Sequence, residues 1–232
     1  MIAGTVLMSQ LSISSLNDWA DRQSDAAAGR WRPVAMGRIP PNAALGLAVL
    51  FAVFSLLGAL ALGTTATVVV FLGLATGWAY DLWLKPTPLS FIPFAIAFPL
   101  LVIWVGIVGG RSLPALLLFF LVGAPLATAI HLADALPDRA SDAATRLRTL
   151  AVTLGAARAI RAMQATLLLG SLVAVASVLD RPAFAVMLGV TAAIGTALAT
   201  ATATHQPSTA RWVVSATALA MALSWMAAHA NV

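Results

Sequence analysis

The chain has 232 residues, of which 61% are hydrophobic and only 9% are charged, and its formal net charge is +5. A soluble domain carries about 25% charged residues, so this composition indicates an integral membrane protein. Cysteine is absent, which excludes disulfides, thiolate metal sites and a cysteine nucleophile. The basic residues lie in short loops between apolar stretches, which is typical of membrane topology signals and argues against nucleic-acid binding.

Eight apolar stretches predict membrane-spanning helices, because about 20 predominantly apolar residues are needed to cross a bilayer. In chain order the predicted spans are 1–17, 42–62, 65–81, 91–109, 114–135, 159–179, 183–203 and 211–229. The long, continuous runs favour an all-α, polytopic transmembrane bundle. We expect residues 1–232 to form a single transmembrane domain.

Charged residues are distributed unevenly between the two sides of this predicted topology. Of the 13 Lys and Arg residues, all but Arg111 and Arg181 fall in loops on one side, and Arg211 is counted among them as a topology signal. Since basic loops remain cytoplasmic, this side is predicted to face the cytoplasm, with the protein in the cell membrane. Every acidic residue except Asp180 also falls on it.

The acidic residues are concentrated in two polar segments that repeat with a spacing of four. Four residues advance an α-helix by slightly more than one turn, so each set lies on one helical face. Carboxylates at span ends need a compensating cation, and Mg²⁺ prefers oxygen ligands and binds through one or two carboxylates plus substrate phosphates. We predict two metal-binding rows on the same side, which are Asn17, Asp21 and Asp25 in the first and Asp134, Asp138 and Asp142 in the second.

Arginine-rich segments follow both rows. Guanidinium groups bind phosphate oxygens in bidentate fashion, so metal-binding carboxylates next to arginines indicate a site for a diphosphate. The same acidic clusters would also suit a transporter for divalent cations, but a permeating cation would not require accompanying arginines.

Two motifs in this chain resemble the signatures of the UbiA superfamily of intramembrane prenyltransferases. The first is NDWADRQSD at 17–25, followed by RWRP at 30–33 and GRI at 37–39. The second is DALPDRASD at 134–142, which continues to RTLAV at 148–152 and LG at 154–155. Tyr80, Asp81 and Lys85, between the third and fourth predicted spans, are similar to a third polar loop of that family.

The resemblance implies a Mg²⁺-dependent enzyme that ionises an isoprenyl diphosphate and transfers the prenyl group to a lipophilic acceptor. It assigns the two rows to Mg²⁺ and diphosphate, and it assigns catalytic roles to Tyr80, Asp81 and Lys85. Among the nearby arginines, Arg22, Arg32 and Arg139 are the preferred ligands of the diphosphate oxygens. The isoprenoid tail would lie among the apolar helices, and the acceptor is expected to be aromatic and similar to a quinone precursor.

The first signature ends the first predicted span, whereas in most of the family it ends the second. We therefore expect this chain to lack the family's first helix, either because the true start lies upstream or because this member lacks one wall of the pocket. A catalytically inactive, truncated relative is a further alternative. A CDP-alcohol phosphotransferase is disfavoured because its DGxxAR signature is absent. No residue selects among quinone precursors, tetrapyrroles and glycerol lipids as the acceptor.

Overall fold

The computed structural model describes residues 1–111, 117–144 and 147–229, and within these ranges it contains helices and no β-strand. Each predicted span overlaps a helix. The helices are α1 (Ile2–Ala27), α2 (Pro41–Leu60), α3 (Thr64–Ala79), α4 (Ile92–Val108), α5 (Leu118–Ala144), α6 (Leu150–Leu154), α7 (Ala156–Ala176), α8 (Pro182–Ala203) and α9 (Pro207–Ala228). α3 continues directly into a π-helical turn, Tyr80–Leu84.

The helix lengths and compositions are those of a multi-pass membrane protein. In the described part of the chain, six segments are long and apolar enough to cross a membrane: α2, α3 with its π-turn, α5, α7, α8 and α9. α4 is a shorter apolar helix. α1, which contains the predicted span 1–17, is not among the six because serines and a glutamine interrupt its apolar stretch. The predicted all-α, polytopic class is confirmed.

The chain divides into two compact units, and the first consists of Met1–Lys85 and Leu100–Leu116. Here α1 packs against α2 and α3. Ser12 is fully buried, donates to the carbonyl of Ala48 at 2.8 Å and accepts from Trp78 Nε1 at 3.1 Å. Small hydroxyl side chains of this kind hold apolar helices together where the hydrophobic effect between them is weak. They fix α1, which carries the first acidic row, to both neighbouring helices.

The second unit consists of Pro86–Pro99 and Leu117–Val232. α5 packs against α7 and α9, α7 packs against α8, and α8 packs against α9. Met163, Leu188 and Met221 are fully buried in its core. Trp225 donates its indole N–H to Ser177 Oγ at 2.7 Å, so the one polar atom of this large buried side chain is satisfied. This core fixes the helix that carries the second acidic row.

At Gly170, α7 lies close to α5. A Cβ atom at this position would lie 2.8 Å from Leu126 Cγ and 3.0 Å from the carbonyl oxygen of Val122. Because a backbone oxygen cannot move aside as a side chain can, we expect Gly170→Val to destabilise the protein by about 2–3 kcal/mol. Thermal unfolding of the purified protein in detergent measures this effect.

Gly189 on α8 provides the matched control, since a Cβ atom there would meet no heavy atom within 4 Å. Gly189→Val is expected to leave the unfolding midpoint nearly unchanged. Equal midpoints for the two variants would contradict the close packing of α7 against α5.

Candidate active site

The first acidic row lies at the C-terminal end of α1. Asn17 and Asp21 are half-buried, and Asp25 is buried. Asp25 Oδ1 is paired with Arg30 Nη1 at 3.3 Å, in the segment that follows the helix. The row therefore ends in a neutralised carboxylate, and its more accessible members are Asn17 and Asp21.

Two side chains of the polar segment after α3 face this row in register. Asn17 Nδ2 donates to Asp81 Oδ1 at 2.9 Å, and Lys85 Nζ is ion-paired with Asp21 Oδ2. The second pair lies four residues after the first on both segments, from Asn17 to Asp21 and from Asp81 to Lys85. α1 and the segment Asp81–Lys85 therefore run in the same direction here. The structure thus brings Asp81 and Lys85, which were assigned to the site by sequence, into contact with the first row.

The π-helical turn determines how these side chains are presented. The amide of Lys85 donates to the carbonyl of Tyr80 at 2.9 Å, a step of five residues that inserts one more residue than an α-helical turn. Such turns frequently occur at functional sites. Lys85 Nζ lies 5.9 Å from the centre of the Tyr80 ring, at the outer limit of a cation–π contact. The ammonium group is thus placed beside both Asp21 and the aromatic ring.

Two of the predicted diphosphate ligands are held by neighbours in the first unit. The guanidinium of Arg22 lies 4.6 Å above the Trp19 ring and donates to the Trp19 carbonyl at 2.6 Å. Arg32 Nη1 lies 3.7 Å from Asp18 Oδ1. A guanidinium has five N–H donors, so these contacts orient each arginine without using all of its donors.

The second acidic row occupies the last turns of α5. Asp134 and Asp138 are exposed, Asp142 is half-buried, and Arg139 is half-buried directly after Asp138. The row is therefore accessible along one face of the helix, as the spacing predicts.

Arg211 on α9 is a charged neighbour of the second row. The sequence alone assigns it only to membrane topology. It lies close enough to Asp134 for electrostatic attraction. Its Nε atom is buried and has no hydrogen-bond partner within the described ranges. The signal that could have revealed it is its position as a lone charge in an otherwise uncharged helix.

The oxygen donors suit a magnesium ion that is shared with a substrate. Among the residues that the structure describes, no three His, Cys, Asp or Glu side chains cluster in a way that could hold a metal ion. The ion pair with Lys85 engages Oδ2 of Asp21 and leaves Oδ1 for a cation. Mg²⁺ usually takes one or two carboxylates and completes its shell with water and substrate phosphates, so this donor set fits.

An all-helical, multi-pass membrane protein with polar rows at its helix ends is the class that these observations define. The model of the UbiA prenyltransferase family matches residues 1–224. The chain therefore belongs to the UbiA prenyltransferase family, and the resemblance seen in its motifs is confirmed.

Two curated relatives match over parts of their length. A stretch of 83 residues is 37% identical to the bacteriochlorophyll synthase 33 kDa chain of Rhodobacter capsulatus, covering 35% of this chain and 26% of that protein. A stretch of 115 residues is 34% identical to protoheme IX farnesyltransferase 2 of Mesorhizobium japonicum, covering 47% of this chain and 37% of the relative. The chain thus spans well under two thirds of either relative.

The fold itself is shared with solved structures. A UbiA homolog from Archaeoglobus fulgidus, bound to GPP and Mg²⁺, matches with a TM-score of 0.76 and 17% sequence identity. The match covers 98% of this chain and 87% of that one. At this identity the likeness establishes the helical architecture.

Proposed function

We propose that the protein is a Mg²⁺-dependent intramembrane prenyltransferase that uses an isoprenyl diphosphate and a lipophilic acceptor. The observation that carries this proposal is the pairing of Asn17 with Asp81 and of Asp21 with Lys85 at the ends of apolar helices. Polar groups in such positions are costly unless they serve a site. Membership of the UbiA prenyltransferase family and the Mg²⁺ and GPP bound to the Archaeoglobus homolog support the choice of ligands.

The two rows supply the metal ligands in this proposal. Mg²⁺, when bound, provides positive charge that stabilises the departing diphosphate. On α1 the oxygen donors are Asn17 and Asp21, with Asp25 held by Arg30 at the end of the row. On α5 the donors are Asp134, Asp138 and Asp142.

Cationic side chains bind the leaving group. The diphosphate oxygens accept strong, charge-assisted hydrogen bonds from four side chains, which are Lys85, Arg22, Arg32 and Arg139. When the bond between the prenyl carbon and the diphosphate oxygen breaks, its electron pair leaves with the diphosphate. Positive charges fixed in advance at that position lower the barrier for this step.

The prenyl cation left behind is captured by the acceptor. The face of the Tyr80 ring attracts positive charge, which supports a role for Tyr80 in stabilising this cation. The nucleophilic carbon of the acceptor forms the new bond and then loses a proton. An aromatic acceptor, similar to a quinone precursor, suits this substitution. Because the names of the two relatives refer to bacteriochlorophyll and protoheme, tetrapyrroles are also acceptors to be tested.

We propose further that the site faces the cytoplasm and that the protein lies in the cell membrane. The concentration of basic residues in loops on the side that the sequence predicts for both rows supports this orientation.

Product mass tests the proposal directly. Purified protein in lipid nanodiscs would be incubated with Mg²⁺, with geranyl, farnesyl, geranylgeranyl and longer diphosphates, and with quinone-precursor, tetrapyrrole and glycerol-lipid acceptors. We expect a product with the mass of acceptor plus prenyl group minus one hydrogen, which disappears when EDTA is added.

Failure to bind any prenyl diphosphate and to form any product would refute the proposal and favour an inactive relative. Uptake of a divalent cation into proteoliposomes, without product, would favour the transporter instead.

Arg211 is proposed as a further diphosphate ligand in the second unit, because its buried Nε can donate to a phosphate oxygen next to Asp134. Hydrogen bonds to charged groups contribute about 1.5–3 kcal/mol, so Arg211→Gln is expected to raise the KM for the prenyl diphosphate by about 10-fold or more. Steady-state kinetics with varied prenyl diphosphate measures this KM.

Arg158, which is exposed on α7, is the control, and Arg158→Gln is expected to leave the KM unchanged. Equal KM values for the two variants would assign Arg211 to topology alone.

A further inference from the structure

We infer that Asp81 is a positioning residue that fixes the side-chain amide of Asn17, so that the carbonyl oxygen and not the amino group of Asn17 is presented to the metal. This inference rests on the proposed function, because it concerns the first metal-binding row. It replaces the catalytic role that the motif resemblance gave to Asp81 with a role exerted through Asn17.

The hydrogen bond between the two side chains determines the orientation of the amide. A carboxylate oxygen accepts hydrogen bonds, and the atom of Asn17 that faces it is the donor Nδ2. The distance of 2.9 Å from Nδ2 to Asp81 Oδ1 agrees with this assignment. Since the amide is planar, Oδ1 of Asn17 lies on the opposite branch, away from Asp81.

The ligand chemistry of magnesium gives this orientation its importance. Mg²⁺ binds oxygen and not amide nitrogen, and an amide that turns over would direct two N–H donors at the cation. Asp21 lies one turn further along the same face of α1 and is oriented in the same way by Lys85. The π-turn and Lys85, the residue directly after it, therefore supply one orienting group for each of the two accessible members of the row.

Burial indicates that Asp81 is retained for this role and not for stability. Only 7% of Asp81 is exposed, and its Oδ2 has no hydrogen-bond partner among the described residues. A buried carboxylate with an unsatisfied oxygen destabilises the fold, whereas an apolar side chain of similar size would not. Among the described residues, the hydrogen bond that uses this carboxylate is the one that holds Asn17, and the charge of Lys85 attracts the same group.

The test compares three variants of the pair. Asp81→Asn keeps the shape of the side chain but no longer forces Asn17 to face it with the amino group. Asn17→Asp places two carboxylates in contact. The exchange Asn17→Asp with Asp81→Asn restores a donor facing an acceptor and still presents an oxygen to the metal, so it separates orientation from the identity of either residue.

The readout is the Mg²⁺ concentration that gives half of the thermal stabilisation of the purified protein in the presence of farnesyl thiolodiphosphate, an unreactive substrate analogue. A ligand that binds only the folded state raises the unfolding midpoint, so this measurement does not depend on turnover. Loss of a residue that orients a metal ligand costs about 10–100-fold in metal affinity, and we expect a rise of this size in Asp81→Asn and in Asn17→Asp. The exchange variant is expected to return to within about fivefold of the wild type, because coupled residues are not additive.

Ser12→Ala is the matched control, since it removes buried hydrogen bonds between the same helices but outside the row. It is expected to lower the midpoint without ligand and to leave the half-effective Mg²⁺ concentration unchanged. If Asp81→Asn does not fold, the exchange variant alone tests the inference. A half-effective Mg²⁺ concentration near that of the wild type supports the inference, and a raised concentration overturns it.

The outcomes separate this inference from the proposed function. If the wild-type protein is not stabilised by Mg²⁺ and the analogue, the proposed function fails and the inference fails with it. If the wild type responds and Asp81→Asn has the same half-effective concentration, or the exchange variant is as impaired as Asp81→Asn, only the positioning role is overturned.

Discussion

Replacing Asp21 with alanine is expected to lower the kcat/KM for prenyl transfer by more than about 100-fold, because loss of an outer-shell metal partner alone costs 10–100-fold. Asp21 is the accessible carboxylate of the first row, and the same loss is expected for Asp138→Ala in the second. Neither side chain belongs to an apolar core, so both variants are expected to fold and to insert into the membrane. Product formation by mass spectrometry, together with thermal unfolding, measures both properties.

Asp180 provides the control for these two variants. Its side chain is 73% exposed and is paired with Arg181 at 3.6 Å, on the side predicted to be opposite the rows. Asp180→Ala is expected to retain wild-type turnover and stability. Activity of Asp21→Ala above about a tenth of the wild-type value would remove Asp21 from the metal site, since a metal ligand should matter more than its outer shell.

Lys85→Met is expected to lower kcat/KM by about 10²–10³-fold, which is the range for removal of one group that stabilises developing negative charge. The variant keeps a long apolar stem but loses the ammonium that is paired with Asp21 and lies beside Tyr80. The unfolding midpoint is expected to change little, because partly exposed ion pairs contribute at most about 1 kcal/mol. Steady-state kinetics and thermal unfolding measure the two effects.

Lys85→Arg tests whether charge alone is sufficient. Arginine keeps the positive charge but presents it on a planar group with fixed donors, so partial recovery of kcat/KM is expected. If Lys85→Met retained wild-type kinetics, Lys85 would be a topology residue, and the pairing with Asp21 would be incidental to catalysis.

The existence of the helices could be predicted from the sequence, but the ends that carry the site could not. The apolar stretch of the first span ends at residue 17, whereas α1 continues to Ala27, and α5 likewise continues to Ala144 beyond the predicted boundary at 135. Apolar composition marks where a helix leaves the bilayer and not where its backbone hydrogen bonds stop. The polar extensions carry the second and third members of each row, which are Asp21 and Asp25 on α1 and Asp138 and Asp142 on α5.

The residue types of the site were also predictable, whereas their partners were not. Repeats of four placed the acids on one face, and the side assignment put Asp81 and Lys85 with them. Which of them meets Asn17 and which meets Asp21 depends on the packing of α1 against α3 and on the extra residue in the π-turn. Burial of Asp25 against Arg30 and the approach of Arg211 to Asp134 depend on tertiary structure in the same way.

The contact between Lys85 and Asp21 couples the binding of an anion to the binding of a cation at the proposed site. Each of the two charges has the other as its counter-ion, so a bare cation gains little by displacing the ammonium. An anion that engages Lys85 frees the aspartate oxygen, and a cation on the aspartate frees the ammonium. If Lys85 binds the diphosphate and Asp21 the metal, as proposed, each ligand is expected to strengthen the binding of the other to the same extent, as thermodynamic linkage requires.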